Sequence, residues 1–315
     1  MKPEHFQAVR DFFASHQRFL VTSHIRPDGD AVGSLLGMGL ALQAAGKTVQ
    51  MVLPDGAPGS YAFLPGFDQI TRKIHGEVDC VIALDCSDKG RLGETFSGIK
   101  PCLNIDHHFT NDNFAEINWV EPAAAATTEI LANRLPAWSL PITLSVAEAL
   151  LLGLVTDTIG FKTSNVTPTT LRLAADLMTI GADLPSTYAK GLDARSFQAV
   201  QFWGYGIAHI QMDGNLVWTS LSLEDRKNAG YPGRDDADLI NVLSSITGAN
   251  IAVIFVEGSD GKIKVSWRAK PGFDVSKVAV AFGGGGHKAA SGAEVAGSME
   301  QIHEDVIKAT KVLLQ

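Results

Sequence analysis

Cys80-Val81-Ile82-Ala83-Leu84-Asp85 is a run of apolar residues closed by a carboxylate. Residues 78–85 read as a strand, because a short continuous apolar run without polar alternation suits a strand buried on both faces. Residues 18–23, 48–53 and 102–106 repeat the pattern, and 31–45 reads as a helix between the first two. Apolar strands separated by helices predict an α/β domain whose mostly parallel sheet is flanked by helices and covered on both faces. Further on, 144–155 and 168–180 read as helices, the second with Thr167 as its cap and Pro168 at its first position.

The order of elements changes near residue 185. Residues 185–210 look helical and carry no strand signal, whereas 215–222, 250–257 and 262–268 look like strands, the last two joined by a turn through Gly258 and Gly261. A Gly-rich segment, Gly283–Gly286, and a terminal helix near 298–314 complete a smaller α+β lobe. The expected organisation is a first domain over 1–184, a helical linker over 185–214 and a second domain over 215–315. A chain of 315 residues with 45% apolar composition can bury two cores.

The bulk composition excludes several classes. Cys80, Cys86 and Cys102 are few, odd in number and embedded in apolar runs, so they read as packing residues in a reducing compartment. The N-terminal stretch has no charged-then-apolar signal pattern, and no run of 18 apolar residues occurs. The expectation is a cytoplasmic protein with no membrane partner. A net charge of −8 disfavours coating of long nucleic acid, although clustered acidic side chains can be metal ligands.

Several segments carry chemistry. Ser23-His24-Ile25-Arg26-Pro27-Asp28-Gly29-Asp30 lies where the first strand gives way to a helix, a place where ligands gather in open α/β sheets. Asp28 or Asp30 could simply cap that helix, but one cap uses one side chain. Asp85 closes its strand, Asp106-His107-His108 closes the next, and Asp157 ends an apolar helix, where a carboxylate opposes the dipole unless a cation is near. Five aspartates and three histidines, brought largely to one sheet edge, fit two divalent ions better than a closed structural zinc site. In the second lobe, Phe282-Gly283-Gly284-Gly285-Gly286-His287-Lys288 could bring backbone amides close to a phosphate, or be a flexible turn. Arg268, ending a strand, could reach a phosphate as a planar fork or lie solvated at the surface.

The ordered set His24-x3-Asp28-x-Asp30, Asp85, Asp106-His107-His108 and Asp157 resembles the DHH phosphoesterase superfamily, and the Gly-rich ending resembles its DHHA1 domain. Pro27-Asp28-Gly29-Asp30-Ala31, Thr127-Thr128-Glu129 and Gly284-Gly285-Gly286-His287 look most like the nanoRNase/pAp phosphatase (NrnA) group. The resemblance implies one metal held by His24, Asp28 and Asp85 and a second held by Asp30, Asp85, His107 and Asp157. It further implies that Asp106 orients the histidine pair, that His108 meets the phosphate or moves a proton, and that Arg268, Gly284, Gly285, Gly286 and His287 bind substrate. The implied cofactors are two divalent ions, manganese by family habit, with cobalt or magnesium also compatible. The implied activity is hydrolysis of short RNA oligonucleotides and of 3′-phosphoadenosine 5′-phosphate (pAp), with small phosphorylated nucleotides as partners and a homodimer left open. Alternatives are a phosphodiesterase for pApA or cyclic-di-AMP, a RecJ-like exonuclease, a family II pyrophosphatase and a non-catalytic nucleotide sensor. Ser266-Trp267-Arg268-Ala269 departs from the family pattern, in which a smaller apolar residue and a final Ser are common.

Overall fold

The structure, a computed structural model, describes residues 3–314. It divides into a first unit ending at Ala194 and a second beginning at Arg195. In the first, α1 (Pro3–Ser15), β1 (Arg18–Thr22), α2 (Gly29–Ala44), β2 (Thr48–Val52), β3 (Ile70–Thr71), β4 (Cys80–Leu84), β5 (Leu103–Asp106) and β6 (Ile117–Val120) precede α3 (Thr127–Arg134), α4 (Leu144–Asp157), α5 (Pro168–Ile180) and α6 (Leu184–Tyr188). The six strands form one parallel sheet in the order β3-β2-β1-β4-β5-β6. Strand order reverses direction between β1 and β4, which makes their carboxyl ends the expected ligand crevice.

The two faces of this sheet are covered differently. One packs Phe19, Val21, Ile82 and Ile105 against α2, α3 and α4 through residues such as Leu35, Leu131 and Leu150. The other buries Leu20, Val52, Val81 and Ala83 under Leu92 and Phe96, which sit on short 3-10 turns rather than on α-helices. Burial on both faces follows from the continuous apolar strands, but the type of cover does not.

Helices α2 and α4 approach unusually closely, and glycine is the reason. A Cβ at Gly33 would lie 2.5 Å from the Ala149 carbonyl oxygen and 2.9 Å from the Gly153 backbone nitrogen. Gly29 and Gly37, each a turn away on α2, face Thr156 and Leu150 with the same lack of room. This contact sets the start of α2 beside the end of α4, and so Asp30 beside Asp157.

The second unit comprises α7 (Phe197–Ala208), β7 (Gln211–Asp213), β8 (Leu216–Leu221), α8 (Leu223–Ala229), α9 (Leu239–Ser244), β9 (Ile251–Glu257), β10 (Lys262–Ala269), α10 (Ser276–Ala281), β11 (Gly285–His287), β12 (Ala290–Ala296) and α11 (Met299–Lys311). Its sheet runs β11-β12-β10-β9-β8-β7, antiparallel except for the parallel pair β8 and β9. Val253, Phe255, Val265 and Trp267 pack towards α10 and α11, and the buried Trp267 indole donates to Thr310 Oγ1 at 3.0 Å. Val217, Ile254 and Val256 on the opposite face are covered with Phe202, Leu239 and Leu243. The stretch 185–214 is divided between the units: Tyr188 and Leu192 pack on the first core, whereas Phe202 on α7 belongs to the second. Among the described residues no helix is long and apolar enough to cross a membrane.

The glycine contact generates a paired prediction. Gly33→Ala is expected to destabilise the chain by about 1–3 kcal/mol through overpacking against backbone. Gly204→Ala, in α7 with open space where its Cβ would go, is expected to stabilise by about 0.5–1 kcal/mol from helix propensity. Denaturant midpoints of both variants check the opposite signs.

Candidate metal centre

Each chemically promising residue of the first unit lies at the carboxyl edge of the parallel sheet or at the facing ends of α2 and α4. His24 follows β1, and the neighbouring Ser23 hydroxyl donates to Leu84 O at 2.7 Å, tying the ends of β1 and β4 together. Asp85 leaves β4 with φ +53°, a left-handed conformation uncommon outside glycine and concentrated at functional sites. Its N–H still donates to Ile105 O at 3.0 Å, so the turn is anchored to β5.

Asp28 turns its two oxygens to two different neighbours. Its Oδ1 accepts from the Asp30 and Ala31 amides and caps α2, while its Oδ2 stands 4.0 Å from His24 Nε2. Capping and ligation were alternatives in the sequence; in the structure the same side chain is placed for both. Asp30 is 2% exposed and accepts from the Thr127 and Thr128 amides and from Thr128 Oγ1.

Three groups of ligand atoms each fall within 4.8 Å: His24, Asp28 and Asp85; Asp30, His107 and Asp157; and Asp85, His107 and His108. Asp85 stands 3.6 Å from His24 Nε2 through Oδ2 and 3.6 Å from His107 Nε2 through Oδ1, so its two oxygens face two different histidines. His107 Nε2 lies another 3.6 Å from Asp157 Oδ2. These separations exceed a hydrogen bond and resemble the roughly 3–4 Å between neighbouring ligands of one ion bound at about 2.0–2.2 Å.

The histidines are held from behind. His24 Nδ1 is 2.9 Å from Ile25 O, and a carbonyl can only accept, so the proton sits on Nδ1 of the neutral ring and the Nε2 lone pair faces the carboxylates. His107 Nδ1 is turned to Ala124 O at 3.4 Å. Asp106, fully buried, accepts through one oxygen from the His107 amide at 2.9 Å and stands 2.7 Å from His108 Nδ1 through the same atom. Its other oxygen accepts from Asn111 Nδ2 at 2.6 Å.

Electrostatics test whether this set suits a cation. Burial, reinforced by the charges of Asp85 and Asp157, pushes the Asp30 carboxyl well above the usual carboxylate range. Burial likewise lifts Asp157 to about 7, with His107 opposing the shift and Asp85 adding to it. Burial also opposes the charged form of Asp85, but His24 and His107 outweigh it and hold the carboxyl low. For His107 burial favours the neutral ring, yet Asp85, Asp30 and Asp157 together raise it to about 9. Protons are thus drawn into a knot of converging lone pairs, and a divalent cation satisfies the same lone pairs without them. The mixed nitrogen and oxygen donor set fits a divalent metal.

In the second unit the Gly-rich segment is not a flexible turn. Gly285–His287 forms β11, paired with β12, and glycine is required because a Cβ at Gly284 would meet Gly292 O at 2.1 Å while Gly286 has φ +136°. Register places Arg268 opposite Ala290, and Ala290 opposite His287. Arg268 and His287 therefore share one row and one face, with a small residue between them. Arg268 is half-buried, which lowers its pKa, and its Nη1 donates to Trp267 O at 3.1 Å. Thr127, Thr128 and Asn111 are the site residues that sequence reasoning gave no role. The first two stood in a quoted string but no pattern links a threonine to carboxylates 42 or 97 positions earlier.

The parallel sheet, the cluster of candidate metal ligands and the Gly-rich second unit together define a phosphoesterase of the DHH class. Residues 18–154 match the DHH family N-terminal domain and residues 226–313 the DHHA1 domain. Among relatives, the bifunctional oligoribonuclease and PAP phosphatase NrnA of Thermus thermophilus is 31% identical, the match covering 92% of this chain and 88% of that one. Its namesake from Mycoplasma genitalium is 28% identical over 99% and 97% of the two chains. This chain belongs to the NrnA family. The crystal structure of an exopolyphosphatase-related protein from Bacteroides fragilis shares the fold, with TM-score 0.92 and 24% identity over 100% of this chain and 98% of that one.

The threonine contacts predict a separation of metal affinity from folding. Thr128→Val keeps the shape but removes the hydroxyl donor to Asp30, and metal affinity should fall by about 10–100-fold. Calorimetric titration with manganese should show the loss while the far-ultraviolet dichroism of the variant matches the parent.

Proposed function

We propose that this chain hydrolyses phosphoester bonds in short oligoribonucleotides and in pAp, using two divalent ions for which manganese is the preferred metal. The observation that carries the reading is Asp85, whose two oxygens face His24 on one side and His107 on the other. A carboxylate so placed suits two ions that share it, with His24 and Asp28 completing one set and Asp30, His107 and Asp157 the other. The names of the T. thermophilus and M. genitalium relatives support the substrate class.

Divalent ions in such a site lower the pKa of the attacking water and neutralise charge on the phosphate. The chain's own residues do the rest. Asp106 fixes the His108 ring through Nδ1, and we assign His108 to meet the phosphate or to pass a proton to the leaving oxygen. Thr127 and Thr128 keep Asp85 and Asp30 in place by hydrogen bonds to their carboxylates. In the second unit, we assign Arg268 and His287 to a terminal phosphate, with Gly284, Gly285 and Gly286 letting backbone approach it closely. Free Cys80, Cys86 and Cys102 suit a cytoplasmic setting.

The test is a substrate panel with manganese: pAp, pApA, cyclic-di-AMP, pyrophosphate and RNAs from two to twenty-four nucleotides. Turnover should be fastest on pAp and on RNAs of two to five nucleotides, because a chain of net charge −8 gains little from neutralising a long strand. A twenty-four-mer degraded processively at a rate equal to or above the dinucleotide would sink this reading in favour of a RecJ-like one.

Asp85→Asn should cost on the order of 10³-fold in kcat on every substrate, and bound metal measured by elemental analysis should fall with it. Full metal content with near-parental turnover would refute the shared-carboxylate assignment.

A further inference from the structure

A cavity of about 290 Å³ lies in the second unit at the hairpin end of β9 and β10, lined by Arg226, Arg234, Lys262 and Lys264 together with Asp260 and Glu294. Four cations against two carboxylates is a local excess of positive charge in a chain whose net charge is −8. Among the described residues none of these four cations makes an ion pair, whereas Arg18, Arg134 and Lys311 elsewhere do. Glu294 stands opposite Lys264 in the β10–β12 register, and Asp260 Oδ1 accepts from the Lys262 amide at 3.3 Å. Glu294 and, at longer range, Asp236 offset Lys264 in part, and with both lining carboxylates counted two positive charges remain in excess.

Arg226 supplies the second observation. It comes from α8 with its guanidinium carbon 5.8 Å from the Phe202 ring centroid. Its Nε and Nη2 are shut off from solvent and have no hydrogen-bond partner among the described residues. No hydrogen-bonded acceptor offsets the guanidinium charge at those two nitrogens, and that charge adds to the positive potential of the cavity that Arg226 lines. Four cationic side chains around one small cavity match the several oxygens and the higher charge of a phosphate better than a carboxylate.

The place is separate from Arg268. Lys264 precedes Arg268 by four residues on the same face of β10, roughly 13 Å at about 3.3 Å per residue. Arg268 is not among the residues that line the cavity. We propose that this cavity is a second phosphate-binding site, which receives a phosphate or phosphodiester group other than the one assigned to Arg268. The proposed hydrolysis of short nucleotides enters only in naming the source, which is either a distal phosphate of a bound oligonucleotide or a free phosphate anion; the site itself rests on the cavity and its unpaired cations.

The experiment uses the full chain and the double variant Lys262→Gln/Lys264→Gln, both positions being exposed or half-buried on the strand surface. Arg234→Gln, at an exposed position, serves as an independent partial loss. Binding is measured for inorganic phosphate by calorimetry, and for phosphorothioate di- and pentaribonucleotides by fluorescence anisotropy across salt concentrations. Hydrolysis of bis-p-nitrophenyl phosphate should be unchanged. With a distal phosphate as ligand, the double variant should bind the pentanucleotide about tenfold more weakly, with a salt slope shallower by about 0.7 per lost contact, while the dinucleotide moves less than twofold. With a free anion as ligand, the variant should lose a saturable phosphate-binding event and leave both oligonucleotides unaffected. Unchanged binding of every probe, or equal losses on dinucleotide and pentanucleotide, overturns the proposal. Phosphate binding that depends on the lysines in a chain that hydrolyses no nucleotide would keep this site and remove the functional reading.

Discussion

Two carboxylates, Asp30 and Asp85, are each 2% exposed and converge with Asp157 and two histidines at one end of a parallel sheet. Like charges cannot be buried side by side without compensation, since the desolvation cost of each ion adds to their mutual repulsion. Much of the surrounding structure is compensation of that kind. Amides and hydroxyls from the start of α3 face Asp30 and Asp85, and carbonyls behind His24 and His107 turn their other ring nitrogens towards the acids. A divalent cation is the remaining element that makes such a cluster stable as a charged unit, so the chemistry of the site and the stability of the fold around it are a single problem.

Geometry is delivered by two backbone devices. The α2–α4 contact, possible only because Gly33 and Gly153 carry no side chain, brings Asp30 against the end of α4. The left-handed turn at Asp85 swings the carboxylate out of the strand line after β4 while its amide stays bonded to β5. Strain of this sort survives only where neighbours over-determine it, and Ser23 with Asn104 supplies that constraint through bonds to Leu84 O and Cys86 O.

The parallel sheet and the acids at its edge were legible because both rest on local signals: continuous apolar runs, three of the four closed by Asp or His. Helix α5 was legible to the residue, with Thr167 and Pro168 marking its start; the structure closes it at Gly181. What escaped depended on contacts far apart in sequence. The 3-10 cover over Leu20 and Val81 has no periodicity to read. β11 looked like a loop because glycines carry no strand propensity, and its pairing with β12 fixes it. The linker expected over 185–214 carried a helical pattern, but which core each helix packs on is decided by Leu192 and Phe202 through long-range contacts. In the same way, Arg226 and Lys264 are 38 positions apart and become neighbours only when α8 lies beside the sheet.

The bonds from the Thr127 and Thr128 amides to Asp30 have a consequence for how the molecule can be observed. A backbone N–H held by an ionised carboxylate is retained more firmly than one held by a protonated acid, because charge-assisted bonds are the stronger. The charge carried by Asp30 is therefore written into the exchange rates of two amides at the head of α3. Deuterium uptake at those positions turns the electrostatic state of the cluster into a signal readable without substrate, spectroscopic metal or turnover.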